Sequence, residues 1–311
     1  MYYPYLYGKQ FELLALREFL DQYADNCHIC PIIEPVKSSF NSLRIAVKKF
    51  QETNIPFALV VNPGKGDYSK NIKMSDGDLN ELLTDCTVCI PSYIVNANTA
   101  INVSRQINEK KYVDVLLICD DSVDLNKPEY KSLLEMSQVK KVVFPDNNRS
   151  FKRELSRLGK DAIRLDDNFK TQKRNSDYSS IPEEFFSEEV FYYKTEDHFA
   201  GFSDYTVLSS EFIDGGMLPK ALAMHFTYLK NQEIWIRHFV SDSNEDNSNI
   251  QGKFGEAASK AINFFQGVSY TNQAIKELTN YYSESQYPGL GVLKKLSIKS
   301  HLELINSILT K

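Results

Sequence analysis

No stretch of this chain approaches the roughly 18–20 consecutive apolar residues that a bilayer-spanning helix requires. The opening MYYPYLYGKQFE has neither the charged n-region nor the apolar h-region of a secretory signal. No membrane association is therefore expected, and the cytoplasm is the default compartment. The sequence also lacks G-x-G-x-x-G, G-x-S-x-G and H-E-x-x-H. NPGKGDYSK, Asn62 to Lys70, has glycines and lysines after a strand-like run but not the G-x-x-x-x-G-K-[ST] spacing of a phosphate loop. It reads instead as a loop over a site, with Lys65 and Lys70 able to reach in. An excess of positive charge is missing too: 36 Lys+Arg stand against 41 Asp+Glu, a formal net charge of −5. Nucleic acid is thus possible as a partner but not indicated by net charge.

Cysteine is scarce, with five in 311 residues, yet four of them form two C-x-x-C pairs, Cys27/Cys30 and Cys86/Cys89. Zinc is the first thought for such pairs. Each pair, however, runs into an apolar strand, CPIIEPV or CIPSYIV, without the glycines or polar turn residues of a knuckle. Buried thiols are the expected reading and zinc the unlikely one.

What is present is a rhythm. Gln10 to Tyr23 spaces its apolar residues as one helix face. CPIIEPV, PFALVVNP, TVCIPSYIV, YVDVLLICDD and VKKVVFPDN are each followed by a helix-like segment, and DAIRLDD follows as a sixth β-type run. Strands alternating with helices imply right-handed crossovers and a parallel sheet. The continuous apolar character of ALVV, VLLI and KVVF fits strands covered on both faces. An open doubly wound sheet and a closed (β/α)8 barrel both satisfy this, and the barrel is preferred. The expected fold is α/β: a TIM-barrel-like single domain over 1–311, irregular in its second half. GFSDYTVLSSEF reads as a seventh strand. Residues 169–197 read as an insertion or lid-like segment, 241–251 as a mobile loop, and 252–311 as C-terminal helices completing the barrel. Between them ALAMHFTYL and EIWIRHFV form a hairpin about Asn231–Gln232. A symmetric turn there sets His225 opposite His238, on one face.

In a barrel, ligands gather beyond the C-terminal strand ends. Those ends carry Glu34, Asn62, Ser92 and Tyr93, Asp120 with Asp121, Asp146, and Asp166 with Asp167. Asp and Asn there also cap helices and shape turns. Glu34 stands inside its strand-like run, which a cap does not explain. So many carboxylates on one mouth would repel unless a cation or basic ligand offset them. One solution is a divalent cation, Mg or Ca, on Glu34, Asp120 and Asp166, with a phosphate-containing substrate. The catalytic candidates are then Glu34, Asp166, His225 and His238. Lys37, Asn62 and Arg237 are candidates for substrate binding. Lys295, in GLGVLKK, is a weaker candidate for an anion.

The opening resembles a group of bacterial and phage proteins known loosely as "beta family" proteins. The residues that carry the resemblance are Tyr3, Pro4, Leu6, Gly8, Lys9, Glu12, Ala15, Leu16, Pro31, Ile33 and Glu34. GFSDYT with Asp204, MHFTYL with His225, IRHF with His238 and the PGLG–KK ending resemble later parts of such proteins. The resemblance implies a barrel-like fold, adds Asp204 to the substrate-binding candidates, and implies a phage-defence setting with a nuclease-like protein partner. Two functions stay open: a defence-associated module working with a partner, and a metal-dependent hydrolase acting on a phosphodiester or nucleotide. The aromatic-rich segment 178–193 is the candidate interface for the first. Whether the protein is an enzyme is left undecided by the sequence.

Overall fold

The computed structural model describes residues 1–70, 74–83, 86–145, 149–215 and 218–311. Strands run in the order β1 (Tyr5–Leu6), β2 (Ile32–Ile33), β3 (Phe57–Val60), β4 (Cys89–Val95), β5 (Val115–Cys119) and β6 (Val139–Pro145). They continue with β7 (Asp161–Asp166), β8 (Glu183–Ser187), β9 (Gly201–Asp204), β10 (Ala223–Lys230) and β11 (Glu233–Val240). The α-helices are α1 (Gln10–Tyr23), α2 (Asn41–Thr53), α3 (Asp76–Leu83), α4 (Ala100–Lys110), α5 (Pro128–Glu135) and α6 (Arg149–Arg157). After them come α7 (Glu189–Tyr192), α8 (Ile250–Gly267), α9 (Gln273–Ser283) and α10 (Leu290–Leu309).

The chain divides into two compact units. One comprises Met1–Gln10, Cys27–Asp167 and Glu189–Tyr205; the other comprises Phe11–Asn26, Asn168–Glu188 and Thr206–Lys311. The first unit holds the TIM-barrel-like sheet. Its eight strands are all parallel, in the order β1-β2-β3-β4-β5-β6-β7-β9. The two ends meet where Tyr2 bridges Phe202 in parallel and the Tyr3 N–H donates to the Phe202 carbonyl at 2.8 Å, so the sheet is nearly closed. The eighth position is taken by the short β1, and the hairpin lies outside this sheet.

Strand periodicity assigns the faces. Phe57 stacks on Phe50 of α2 at 4.8 Å, and Phe144 meets Phe151 of α6 at 4.8 Å, so these strand residues point outward. Ile33 and Leu59 share that face by register. The alternate set, including Tyr5, Ile32, Ala58, Ser92, Leu116, Val143, Ile163 and Gly201, points inward. Gly201 is required where it stands: a Cβ there would lie 2.5 Å from the Tyr3 ring, which fills that space. Strands β3 and β5 are buried residue for residue, as their unbroken apolar runs require when helices cover one side and inward side chains the other. CPIIEPV yields only two strand residues because Pro31 and Pro35 cannot donate to a ladder. GFSDYTVLSSEF stops being a strand after Asp204; Thr206 turns with φ at 56°.

In the second unit β10 and β11 form the expected hairpin. Asn231 and Gln232 both take positive φ, 53° and 63°, as a two-residue hairpin turn demands. The resulting register sets His225 directly opposite His238. β8 adds antiparallel to β11, giving a separate three-stranded sheet. Met224, Phe226, Tyr228 and Phe239 on one face pack with Phe254, Ala257, Ala261 and Phe265 of α8, Leu278 of α9 and Leu296 of α10. The small alanines let α8 lie close to the sheet. Among the described residues no helix is long and apolar enough to cross a membrane.

Candidate site at the barrel mouth

Glu34 follows β2 and keeps its ladder position, its N–H donating to the Leu6 carbonyl at 2.8 Å. Two residues beyond Ile32, it stands on the inward face, with no exposed surface. A bare carboxylate there would be costly. Each oxygen is instead held by one donor: the Tyr5 hydroxyl donates to Oε2 at 2.6 Å and the Gly64 N–H to Oε1 at 3.1 Å. Burial, reinforced by the Glu34 charge, pushes the Tyr5 phenol well above its usual range. Beside it the Lys65 ammonium donates to the Tyr7 hydroxyl at 2.7 Å and lies 4.5 Å from the centre of that ring. Burial pulls the Lys65 pKa down, opposed by the charges of Glu34 and Asp167. Tyr205, just after β9, completes the cluster, its ring 5.0 Å from Tyr5 and 6.2 Å from Tyr7. Its phenol is also pushed up, by burial first and then by Asp167 and Glu34.

The loop carrying Lys65 is pinned in place. Gly66, at φ 60°, passes so close to β2's exit that a Cβ would lie 2.1 Å from the Val36 carbonyl oxygen. The Asp67 N–H donates to that same oxygen at 2.9 Å. The Ser38 N–H and hydroxyl both donate to the Asp67 carboxylate, at 2.8 and 3.0 Å. Lys37 lies 3.7 Å from Asp67, so its charge is already engaged at this edge.

The other residues expected at the mouth do different work. Asn62 accepts from the Ile94 N–H at 2.8 Å and donates to the Ile94 carbonyl at 2.9 Å, fastening the end of β3 to β4. Asp120 accepts from the Ser122 N–H at 2.9 Å and from its hydroxyl, shaping a turn. Asp166 and Asp204 are register partners, and both stand on the outward face with Arg164 and Phe202. Asp166 pairs with Arg164 at 2.8 Å, and Arg164 also reaches Glu189 at 2.9 Å. Asp204 is buried and accepts from the Tyr2 hydroxyl. Glu34 and Asp166 therefore lie on opposite faces of one sheet, and Glu34, Asp120 and Asp166 do not fit a divalent cation as a single ligand set. Among the described residues no group of three or more His, Cys, Asp or Glu side chains is arranged to hold a metal ion. Asp146 lies outside the described residues, as does the Lys70 side chain.

The histidines belong to the second unit. His225 and His238 bring their Nδ1 atoms to 2.7 Å, so one ring donates and the other accepts. Tyr178 packs 4.6 Å from both rings and Phe169 lies 5.1 Å from His225. His238 Nε2 stands 3.3 Å from Glu184, which pairs with Lys170 at 3.0 Å. Burial lowers both imidazole pKa values: His225 well below the usual range, with repulsion from His238 adding, and His238 less, because Glu184 opposes. Both shifts favour the neutral form of the pair. Arg237 and Lys295 are taken up by ion pairs. Arg237 pairs with Glu183 at 2.8 Å, which also accepts from Tyr228 at 2.6 Å and pairs with Lys230. Lys295, buried, bridges Glu18 at 2.8 Å and Glu277 at 2.6 Å. In the aromatic segment, Tyr178 and Phe186 are core residues, while Phe185 is 43% exposed.

Sequence reading passed over Tyr5, Tyr7 and Tyr205. The alternation Tyr3, Tyr5, Tyr7 was the available signal, a period-two aromatic stripe before the first helix. Glu184 had no such signal, since its pairing depends on β8 docking beside β11. Comparison with protein-family models, curated proteins and solved structures gives no match.

Proposed function

We propose that the barrel unit is an enzyme acting on a phosphate-containing substrate at the mouth formed around Glu34 and Lys65. One observation carries this reading: a wholly buried carboxylate, held by one donor per oxygen, shares a tyrosine cluster with a partly desolvated ammonium. Such pairing of a base with a fixed cation suits hydrolysis of a phosphate ester. Lys65 and the Tyr7 hydroxyl hold the anionic oxygens. Glu34 takes a proton from a water whose oxygen attacks phosphorus. The bond to the leaving oxygen breaks, and that oxygen receives a proton from Lys65. Among the described residues no set of three or more His, Cys, Asp or Glu is arranged for a metal ion, and the reaction is written through side chains. The test is hydrolysis of p-nitrophenyl phosphate, bis(p-nitrophenyl) phosphate and nucleoside triphosphates by the full chain. Glu34→Gln is expected to lower kcat about 10²–10⁴-fold, and Lys65→Met to raise KM. Turnover that survives Glu34→Gln, or no binding of any of these esters by calorimetry, overturns the proposal.

A second reading, that the chain works with a protein partner in the phage-defence setting the resemblance implies, rests on β8. It is an edge strand of its sheet and carries the half-exposed Phe185. An edge with an exposed aromatic favours strand addition by another chain. Co-expression with a nuclease-like protein encoded beside it, followed by size-exclusion chromatography, tests this. Co-elution that Phe185→Asp abolishes supports it, and separate elution of the two proteins counts against it.

A further inference from the structure

The side chains of Glu184, His238 and His225 form a chain of hydrogen bonds in the second unit that the barrel-mouth chemistry does not use. Lys170 pairs with one oxygen of Glu184 at 3.0 Å, and the other oxygen stands 3.3 Å from His238 Nε2. A carboxylate only accepts, so His238 Nε2 carries the proton of that bond. In its neutral form, which burial favours, His238 then has a lone pair on Nδ1. His225 Nδ1, 2.7 Å away, is therefore the donor of the second bond. In neutral His225 this leaves Nε2 without a proton. His225 is partly exposed. Among the described residues no hydrogen bond reaches its Nε2, and that atom is not among the buried polar atoms left unpartnered. Its lone pair is thus open to solvent. The Tyr178 ring stands 4.6 Å from the imidazole and the Phe169 ring 5.1 Å from it. Tyr178 is itself fixed, its hydroxyl accepting from the Gln172 N–H at 3.1 Å.

We propose that these three residues form a second catalytic site, in which His225 Nε2 attacks the carbonyl carbon of an activated aryl carboxylic ester. A nucleophile oriented by a base, itself oriented by a third group, is the arrangement that covalent catalysis requires. The bond from Nε2 to the acyl carbon forms, the bond to the leaving oxygen breaks, and a phenolate departs. The acylated ring is now positively charged. Its Nδ1 proton passes to His238 Nδ1, and the His238 Nε2 proton passes to Glu184. Water then attacks the acyl carbon and the bond to Nε2 breaks, releasing the carboxylic acid. The protons return along the chain to His225 Nδ1, and the spare proton of the water reaches the phenolate through solvent. His225 is the catalytic residue; His238 and Glu184 are positioning residues that fix its tautomer. The Tyr178 and Phe169 rings favour an aromatic group on the ester. The Lys294 charge is felt at His225 and favours the negative oxygen that forms on the attacked carbonyl.

Two measurements on the full chain test this. Long-range ¹H–¹⁵N spectra of the histidine rings read the tautomers directly in the wild-type chain, with no substitution that could disturb folding. His225 is expected as the Nδ1–H form and His238 as the Nε2–H form. A proton on His225 Nε2 would overturn the proposal. The second measurement is acetyl transfer from p-nitrophenyl acetate, followed by release of p-nitrophenol and by peptide mass mapping of quenched samples. The exposed His198 supplies an internal control. His225 is expected to take up acetyl at least about tenfold faster than His198, and His225→Ala to lower turnover about 10²-fold. In Glu184→Gln the amide can donate to His238 as well as accept from it. That variant is expected to populate the Nε2–H form of His225 and to slow acetyl transfer about tenfold. Equal acetylation of His225 and His198, or an unchanged rate in Glu184→Gln, would sink the proposal.

Discussion

The Tyr5 hydroxyl donates to Glu34 across 2.6 Å, and the carboxylate that receives it has no exposed surface. Tyr5→Phe therefore leaves a buried charged oxygen without its donor, at an expected cost of about 1–3 kcal/mol. A lower urea midpoint with an unchanged slope would register this. The same change in a Glu34→Gln background is expected to cost less, because the acceptor is no longer charged. Equal costs in the two backgrounds would show that the bond does not matter.

Gly201 sits beneath the Tyr3 ring at the seam of the barrel. Its φ is unremarkable, so the obstacle to a side chain is space alone. A Cβ there would meet the ring at 2.5 Å and the Met1 carbonyl oxygen at 2.9 Å. Gly201→Ala is expected to destabilise by about 1–3 kcal/mol through overpacking. Gly255, in α8, has nothing within 4 Å of its would-be Cβ. There the same substitution should stabilise by about 0.5–1 kcal/mol, since alanine favours helix. Thermal midpoints that move in opposite directions would bear out both.

Glu303 gives the fold a pH dependence between its unfolded and folded pKa values, on the acid side of neutrality. Its Oε2 accepts from the Ala274 N–H at 3.1 Å, while Oε1 has no hydrogen-bond partner among the described residues. Burial pushes its pKa up to about 7, only partly offset by the Ala274 N–H and the Lys299 charge. Because the folded value lies above the unfolded one, the stability linked to this group is complete below about pH 4. It is lost as pH rises through 7. The loss is on the order of 3 kcal/mol. Glu303→Gln should flatten the decline in denaturant midpoint between about pH 4 and pH 7, and an unchanged decline would rule the group out.

The histidine dyad acts in the opposite direction. His225 is held neutral by burial, with a folded pKa well below the unfolded value near 6.5. Its contribution is present above pH 6.5 and is lost as pH falls toward the folded value. In ¹⁵N-histidine spectra, His225 should stay neutral through pH 6.5 and charge only as the protein unfolds. Tyr178→Ala, which strips the ring 4.6 Å from both imidazoles, should let His225 titrate closer to 6.5. Ordinary titration of His225 in the wild-type chain would disprove its burial as a neutral base.

Much of the barrel was legible because buried parallel strands leave unbroken runs such as ALVV and VLLI, each followed by a helical stripe. The His225–His238 pairing was legible for a different reason. A two-residue turn fixes register, and register fixes cross-strand partners. The strand Tyr5–Leu6 was not legible, since two residues show no periodicity and its neighbours arrive from elsewhere in the chain. The mouth was read only in part. Glu34, Asp166 and Asp204 are all acidic groups at strand ends, but which face each takes depends on ladder parity. Asp166 shares Arg164's outward side and Glu34 shares Ile32's inward one. Likewise Lys295 looked like a free cation because its partner Glu18 lies 277 residues away in sequence.

Tyr2 and Asp204 are joined although 202 positions separate them, and this has a consequence for biosynthesis. A ribosome must deliver some two hundred residues before the seam strand can meet its last neighbour, so the growing sheet waits with a raw margin. Long-range pairing of this kind is slow and exposes unpaired backbone. Chaperone shelter, or a slow stretch of translation near residue 205, would bear most heavily on the yield of native molecules.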